Sequence, residues 1–249
     1  MNFPTKKLNL LFFTLLFSFL ISSCKKNRDT SEEDDSYESY RYELWKNLID
    51  YNYNFDFVGR QTDNGTYAEY SGQVFDYDHE GAGGYQSEDV LDNIDEVLSS
   101  ISNPDIVLLS IGGNDLLDGG NPPSEPISNI SLLIDKLQIH NSNITIFLEQ
   151  IAPANNSTMT SSLTANITDF NSQIATLSAN KTTSTSKVIA LDMNSDFSES
   201  FLADDVHYNE LGAKFIADIY FTGIQAEYSN TSSINILPLG DSRVEGNRQ

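Results

Sequence analysis

Residues suited to acyl transfer occur in short segments spread along the chain, beginning with Gly240-Asp241-Ser242. This segment follows the apolar run Ile236-Leu237-Pro238-Leu239. A serine at the carboxyl end of a parallel strand occupies the edge where open α/β sheets hold their reactive groups. Small polar residues after an apolar run also form ordinary turns, so this segment alone is a weak signal for a nucleophile.

A second segment, Asp204-Asp205-Val206-His207, contains a candidate general base and its partner. A neutral imidazole accepts the proton of a serine hydroxyl, and a carboxylate on its other nitrogen fixes the tautomer and stabilises the imidazolium. The short spacing lets one tight turn bring Asp204 and His207 together. A histidine beside an aspartate also forms surface ion pairs, but the chain offers only His79, His140 and His207 as bases.

Two glycine-containing segments supply candidate donors for a developing oxyanion. The apolar run 105–111 is followed by Gly112-Gly113-Asn114-Asp115, where the Asn114 amide can donate. The segment 79–84 contains three glycines, so its backbone can approach a ligand closely and present an N–H group. The alternative interpretation of the first segment is a turn that ends a strand.

Together these segments resemble the SGNH, or GDSL-type, hydrolase superfamily of serine esterases. The resemblance implies that Ser242 is the nucleophile, that His207 is the base and that Asp204 orients the base. It places the oxyanion hole at the Ser242 N–H, the Gly81 N–H and the Asn114 amide. The similarity extends from about residue 37 to the end, and the flanking stretches 40–45, 56–59 and 78–81 resemble the acetyl-xylan-esterase branch.

The order of the segments departs from the family. There the Gly-Asp-Ser segment lies in the first strand of the domain, whereas here it comes last. We therefore interpret the chain as a natural circular permutant, in which 225–233 is the new joint and 234–249 carries the nucleophile strand and turn. Termini of compact domains often lie close together, which favours such a rearrangement. The alternative is a tandem protein cut short, which the lack of a second Gly-Asp-Ser near residue 37 disfavours.

Arg243 and Arg41 each allow two interpretations. Arg243 stands where the family usually has an aliphatic residue, and its guanidinium suits an anionic substrate group such as a uronic acid carboxylate. It equally suits a structural ion pair at a helix start, with Asp241 or Glu245 as the partner. Arg41 lies among apolar residues of a predicted helix, where it either lines the cleft or ties the helix to the sheet.

The amino terminus predicts export. Lys6 and Lys7 precede the apolar run 8–21, which is shorter than the ~20 residues that a bilayer span requires and is typical of a signal peptide, here 1–23. The following segment, Leu20-Ile21-Ser22-Ser23-Cys24, resembles a bacterial lipobox, which implies acylation of Cys24 and a membrane lipid anchor. The alternative is an ordinary signal peptide with an incidental cysteine. As Cys24 is the only cysteine, neither an intramolecular disulfide nor a thiolate metal cluster is expected.

Residues 24–36 predict a lipidated cysteine followed by an acidic, solvated tether, because the tract has no apolar periodicity. The tract resembles those of surface lipoproteins of the Bacteroidetes type, which implies a bacterial cell envelope location at the outer membrane or cell surface. The whole chain has a formal net charge of −22, which disfavours nucleic acid as a partner.

Residues 37–249 predict a single α/β domain, since roughly 210 residues is the size of one such domain. Apolar runs predict strands at 55–58, 105–111, 144–150, 187–191 and 234–239. Helical patterns lie at 40–49, 88–100, 127–137, 163–177 and 210–224. Near-continuous apolar strands indicate a parallel sheet covered on both faces. The resemblance implies a three-layer α/β/α, flavodoxin-like fold with a five-stranded parallel sheet, and the permutation places the last strand inside it.

The acidic stretch at Asp76, Asp78, His79 and Glu80 offers hard ligands that suit calcium, but the family uses this stretch for its glycine. We therefore predict neither a metal nor a cofactor. A GxGxxG pattern is absent from the sequence, so no dinucleotide fingerprint is present.

The assembled residues predict ester hydrolysis through an acyl-enzyme. The resemblance to the acetyl-xylan-esterase branch, together with the predicted export, implies a secreted carbohydrate O-acetylesterase that removes acetyl groups from an acetylated polysaccharide or oligosaccharide. A lipase-like or lysophospholipase relative would use the same chemistry and have an apolar acyl channel. A non-catalytic, glycan-binding surface lipoprotein is the third interpretation, and the intact set of segments argues against it.

Overall fold

A computed structural model describes residues 36–62, 65–118 and 122–247. The predicted signal peptide, Cys24 and all but the last residue of the predicted tether lie outside this part of the chain. The helices are α1 (Tyr40–Asp50), α2 (Ser87–Ser100), α3 (Gly113–Asp118), α4 (Ser124–His140), α5 (Ser161–Lys181), α6 (Glu210–Glu227) and α7 (Ser242–Glu245). The strands are β1 (Asn54–Phe57), β2 (Gln61–Thr62), β3 (Asp78–Gly81), β4 (Ile106–Ser110), β5 (Thr145–Gln150), β6 (Lys187–Asp192) and β7 (Ser233–Gly240).

The strands form one sheet in the order β2-β3-β7-β4-β5-β6, and β1 pairs with the amino-terminal half of β7. The pair of β2 and β3 is antiparallel, and the other pairs are parallel. The last strand, β7, therefore has β4 on one side and β1 and β3 on the other. This position inside the sheet confirms the prediction made for the final strand.

Alternate residues of the central strands point to opposite faces of the sheet, as the pleat requires. Leu108 and Ile236 face a core that includes α1 and α6, whereas Leu109 and Leu237 face a core that includes α2, α4 and α5. Every residue of β4 is buried. Burial of each large apolar side chain contributes about 1.5–3 kcal/mol to the stability of the folded chain. The three-layer α/β/α architecture is thus confirmed.

The predicted strands and helices are all present, but the sheet has seven strands rather than the five expected. The missed strands, β2 and β3, lack an apolar pattern. The sequence of β3 is Asp-His-Glu-Gly, and its polar side chains are nevertheless largely buried. Burial of His79, together with the charge of Arg41, lowers the histidine pKa to about 2, so the imidazole is neutral. Glu80 pairs with Arg60 at 3.0 Å.

Helix α6 begins directly after the segment that carries His207. Its N-cap residue, Asn209, accepts hydrogen bonds from the backbone N–H groups of Leu211 and Gly212. A cap of this kind stabilises a helix by about 1 kcal/mol. The buried face of α6 repeats at helical spacing, through Ala213, Ile216, Ala217, Tyr220 and Ile224. The cap therefore fixes the point where the loop ends and the rigid helix starts.

The described helices include none with both the length and the apolar character needed to cross a bilayer.

The carboxyl ends of three neighbouring strands meet at one edge of the sheet. In the strand register Gly240 is paired with Gly81 on one side and with Ser110 on the other. The segments that contain the candidate site residues are thereby brought to this edge.

Candidate active site

Ser242 is the first residue of α7, immediately after the turn that ends β7. The buried Asp241 is the N-cap, and its carboxylate accepts a hydrogen bond of 3.0 Å from the Arg243 N–H. Burial raises the pKa of Asp241, against the opposing charge of Arg243. Asp241 thus shapes the turn and presents the Ser242 hydroxyl at the edge of the sheet.

The structure brings Ser242, His207 and Asp204 into one chain of contacts. The His207 Nε2 atom lies 2.9 Å from Ser242 Oγ, and Nδ1 lies 2.6 Å from an Asp204 carboxylate oxygen. We assign the proton of the neutral imidazole to Nδ1, because a carboxylate accepts and cannot donate. Nε2 is then the acceptor for the serine proton, which is the arrangement required of a general base.

Asp204 is held by the backbone as well as by the imidazole. Its second oxygen accepts hydrogen bonds of 2.8 Å and 2.7 Å from the N–H groups of Val206 and His207. Partial burial opposes the charge, but these bonds and the bond to the imidazole outweigh it and lower the pKa of Asp204. The side chain is 51% exposed, so water screens its attraction for an imidazolium.

Asn114, the predicted side-chain oxyanion donor, lines a pocket together with Ser242. One amide N–H donates to the Tyr85 carbonyl at 2.9 Å, which orients the amide and leaves its other N–H for a substrate oxygen. The adjacent Asp115 accepts hydrogen bonds from the N–H and the hydroxyl of Ser87. These bonds attach α3 to the start of α2 and fix the position of Asn114.

Gly81 is placed differently from the prediction. Its N–H donates to His79 Nδ1 at 2.9 Å, and Gly81 is not among the described residues that line the pocket. A Cβ at this position would lie 2.4 Å from the Glu245 backbone nitrogen, so the glycine allows α7 to pack against β3. The structure therefore corrects the Gly81 assignment from an oxyanion donor to a support of the nucleophile turn. The candidate oxyanion donors that remain are the Asn114 amide and the Ser242 N–H, which lies in the first helical turn.

Arg243 binds backbone carbonyls rather than a carboxylate. Its Nε donates to Val206 O at 2.9 Å and its Nη1 donates to Ala152 O at 3.0 Å. A longer bond of 3.4 Å reaches Pro153 O, and the guanidinium lies over the Tyr208 ring. Of the two interpretations, the structure supports a structural role, although the partners are carbonyls and not the predicted acids. Arg243 ties the nucleophile turn to the loop that carries His207.

Arg41 is fully buried, and the interpretation that it lines the cleft is wrong. Its Nε donates to Val244 O at 2.8 Å, and its two terminal nitrogens donate to Glu245 O and Tyr77 O. The carbonyls at the end of a helix lack partners within the helix and carry partial negative charge. Arg41 satisfies two of these carbonyls in α7, and so it ties α1 to the nucleophile turn.

The pocket beside Ser242 is small and has mostly apolar walls. It encloses about 20 Å³. Its apolar wall consists of Leu117, Ile151, Ala152, Ala154, Ile167 and Val206. A cavity needs about 10–15 Å³ to hold one water-sized group. The pocket therefore has room for one small group directly beside Ser242.

Glu149 lies outside the sequence motifs described above and is buried close behind the site. Its carboxylate accepts hydrogen bonds from Ser110 Oγ at 2.6 Å and from Tyr220 OH at 2.7 Å. Burial raises its pKa to about 7, although these bonds and the charge of Arg243 oppose the shift. The sequence feature that could have identified Glu149 is the presence of a glutamate within the apolar run 144–150.

The acidic stretch around His79 offers hard oxygen ligands of the kind that suit calcium. Within residues 36–62, 65–118 and 122–247, the structure contains no group of three or more His, Cys, Asp and Glu side chains placed to hold a metal ion. Asp76 instead accepts hydrogen bonds from the N–H groups of Phe57 and Asp78. The acids of this stretch order the loop before β3.

Comparison with known proteins matches residues 52–215 to the model of the GDSL-like lipase/acylhydrolase family. The matched span includes Asn114 and His207 and ends before Ser242. A comparison with curated proteins found no match.

Solved structures of esterases are similar to the chain over most of its length. A mutant acetyl esterase crystallised with an acetate ion has 25% identity and a TM-score of 0.70, covering 80% of this chain and 95% of its own. A carbohydrate esterase of family 3 from Talaromyces cellulolyticus has 25% identity and a TM-score of 0.68, with 77% and 92% covered. A family 3 carbohydrate esterase from Clostridium thermocellum has 31% identity and a TM-score of 0.60, with 74% and 84% covered.

Proposed function

The chain belongs to the GDSL-like lipase/acylhydrolase family and is a carboxylic ester hydrolase, and we propose that it removes acetyl groups from an acetylated carbohydrate. The observation that carries the proposal is the contact from Asp204 through His207 to Ser242, which ends beside a pocket of about 20 Å³. The carbohydrate esterases among the similar structures support the choice of substrate class.

The reaction proceeds through an acetylated serine. Ser242 Oγ attacks the ester carbonyl carbon while His207 Nε2 takes the hydroxyl proton. The tetrahedral intermediate then breaks its bond to the sugar oxygen, which receives the proton from the imidazolium. Water attacks the acetyl group in the same way, His207 again removing a proton and returning it to Ser242 Oγ. The products are a free sugar hydroxyl and acetate.

Negative charge develops on the carbonyl oxygen during both steps. In the proposed site it is stabilised by the Ser242 N–H and by the second N–H of the Asn114 amide. The Asp204 carboxylate keeps the proton on Nδ1 and stabilises the imidazolium. Each residue acts through an atom that the surrounding structure already holds in place.

The size of the pocket separates acetyl from longer acyl groups. Each methylene that stays in water and is not buried in an apolar pocket loses about 0.8 kcal/mol of favourable binding free energy. The first test measures hydrolysis of p-nitrophenyl acetate and octanoate by the wild-type chain and by Ser242→Ala, with Ser99→Ala as an exposed control. Acetate turnover that depends on Ser242 supports the proposal. Faster octanoate turnover would support the lipase-like alternative.

The wall of the pocket offers a second test. Ile167 lines the pocket from α5, whereas Ile174 on the same helix is buried in the core behind it. We expect Ile167→Ala to raise octanoate turnover relative to acetate, and Ile174→Ala to leave the ratio unchanged. Release of acetate from acetylated xylan, compared with hydrolysis of a lysophospholipid, then tests the substrate class.

The circular permutation is part of the same proposal. It is supported by the position of β7 inside the sheet and by a family match that ends before β7. Deletion of residues 234–249 distinguishes it from a truncated tandem protein. A permuted domain loses a central strand and should lose its cooperative unfolding transition. A chain that still unfolds cooperatively after the deletion would support the tandem alternative.

The proposed location rests on the lipobox and the acidic tract. The chain is anchored to the bacterial cell envelope through acylated Cys24, with the domain outside the membrane. Labelling of cells with a radioactive fatty acid, followed by purification of the chain, tests this. Label should be incorporated by the wild type and not by Cys24→Ser.

A further inference from the structure

Tyr37 stacks on the imidazole of His207. The ring centroids are 4.0 Å apart and the planes are inclined by 19°. The backbone of Tyr37 exchanges two hydrogen bonds with Asn247, which follows α7, and the next residue, Glu38, donates to the Tyr208 carbonyl. Tyr37 is thus attached to the segment after Ser242, and its neighbour Glu38 is attached to the residue after His207.

We propose that Tyr37 is a positioning residue for His207, whose stacked ring holds the imidazole plane in line with Asp204 and Ser242. The inference rests on the proposed catalytic role of His207. It assigns a role to a residue that enters the site from the amino-terminal end of the domain.

The two hydrogen bonds of the imidazole leave one motion unopposed. Asp204 and Ser242 contact the ring at its nitrogens, and a ring held only at these points can tilt about the line between them. A flat partner on the ring face opposes that tilt. Because Asp204 is 51% exposed, water screens its electrostatic attraction for the imidazole. The contact of Tyr37 with the ring face therefore contributes more to the alignment of the imidazole.

Stacking also favours the charged state through which the reaction passes. The face of an aromatic ring is negative and attracts a cation placed over it. When His207 becomes imidazolium, Tyr37 therefore stabilises it. Burial, with the nearby charges of Glu245, Asp204 and Asp241, raises the pKa of Tyr37 to about 12, so its ring is a neutral phenol during catalysis.

Tyr37 contributes less to the core than the other aromatic residues near the site. It is only half-buried and belongs to neither of the two hydrophobic cores of the described chain. Loss of its ring should therefore affect the site more than the global stability. This separation makes a positioning role measurable.

The kinetic test compares Tyr37→Phe and Tyr37→Leu in the full chain, purified in detergent and assayed with p-nitrophenyl acetate. We expect Tyr37→Leu to lower kcat about tenfold, equivalent to about 1.4 kcal/mol, with KM unchanged within about twofold. Tyr37→Phe keeps the stacked ring and should stay within about twofold of wild type. The matched control is Tyr51→Leu, since Tyr51 packs its ring on Phe221 at the far end of α1.

Two outcomes would overturn the inference. A kcat for Tyr37→Leu within about twofold of wild type means that the ring does not position His207. Equal losses in Tyr37→Leu and Tyr37→Phe would assign the effect to the hydroxyl. Tyr37→Met supplies a second aliphatic variant in case Tyr37→Leu does not fold.

A spectroscopic measurement tests the stack without using activity. The chain has three histidines, so the ring carbon–proton signals of ¹³C-labelled histidine are few, and His207→Gln assigns the relevant one. The ring current of Tyr37 should shift the His207 signal upfield, and this shift should persist in Tyr37→Phe and vanish in Tyr37→Leu. An unchanged signal in Tyr37→Leu contradicts the stack. Retention of esterase activity by Ser242→Ala would instead contradict the proposed function while leaving this readout intact.

Discussion

Gly240 and Ser110 lie opposite each other on β7 and β4, and a Cβ on Gly240 would lie 1.9 Å from the Ser110 carbonyl oxygen. Gly240 also has a φ of +158°, near the edge of the region that disfavours side chains. Any Cβ on Gly240 would contact the backbone of β4. This strand lies in the centre of the sheet and cannot shift to make room. Glycine at position 240 allows this close approach directly before β7 turns into α7 at Ser242.

We therefore expect Gly240→Ala to destabilise the domain by more than about 3 kcal/mol and to abolish esterase activity in any fraction that folds. Gly72→Ala is the control, because Gly72 has a φ of +77° but open space around its Cβ position. Gly72→Ala should lower the free energy of unfolding by only about 1 kcal/mol. The free energy of unfolding in urea measures both, and equal costs for the two variants would show that the clash is absent.

Asn114→Ala tests the amide as an oxyanion donor. Loss of one such donor lowers kcat by a factor on the order of 100 or more, because charge on the carbonyl oxygen loses a preorganised partner. KM should change little, since the donor acts mainly in the transition state. Asn93→Ala is the control, as the Asn93 amide also donates to a backbone carbonyl but on the exposed face of α2. A decline of less than about fivefold for Asn114→Ala would remove Asn114 from the oxyanion site.

Arg243→Lys distinguishes a tie between loops from an anion-binding residue. A lysine has one ammonium group and cannot reach Val206 O and Ala152 O with the same planar geometry. We expect kcat to fall about tenfold on acetylated xylose and on acetylated glucuronic acid alike, because the loop that carries His207 loses its attachment. A loss confined to the anionic sugar would restore the interpretation that Arg243 binds the substrate carboxylate.

The parts of the fold that follow from apolar periodicity were predictable from sequence. Strand β4 and helix α6 have continuous or helically spaced apolar residues that a core must cover. Strand β3 was not predictable, because its burial depends on a neutral His79 and on Glu80 meeting Arg60. Those compensations come from other segments, so no local pattern indicates them.

In the candidate site, too, some residues could be predicted from the sequence and others could not. Ser242, His207 and Asp204, which the structure brings into contact, could be selected as candidates because each has the chemistry of its proposed role and lies in a recognisable segment. Gly81 could not be placed, since the direction of a backbone N–H depends on local hydrogen bonding, here to His79. The stack of Tyr37 on His207 joins residues far apart in the chain, and neither neighbourhood in the sequence points to the other.

The buried Glu149 predicts how stability depends on pH. Its pKa is about 7 in the folded chain and about 4.5 for the free side chain, so the unfolded chain releases this proton first as pH rises. Between these values the folded state binds more protons, and its stability therefore falls with rising pH. Glu149→Gln mimics the protonated acid and still offers partners to Ser110 and Tyr220.

We expect the free energy of unfolding of Glu149→Gln to exceed that of the wild type increasingly from about pH 5 to about pH 8, with a change in the difference on the order of 2 kcal/mol. Urea unfolding at several pH values measures this. Glu96→Gln is the control for removal of one acidic group, because Glu96 is exposed. A difference that stays constant with pH for Glu149→Gln would mean that Glu149 titrates alike in the folded and unfolded chains. In the expected case, acidic conditions favour the neutral carboxyl that supports Ser110, and through Ser110 the strand beside Gly240.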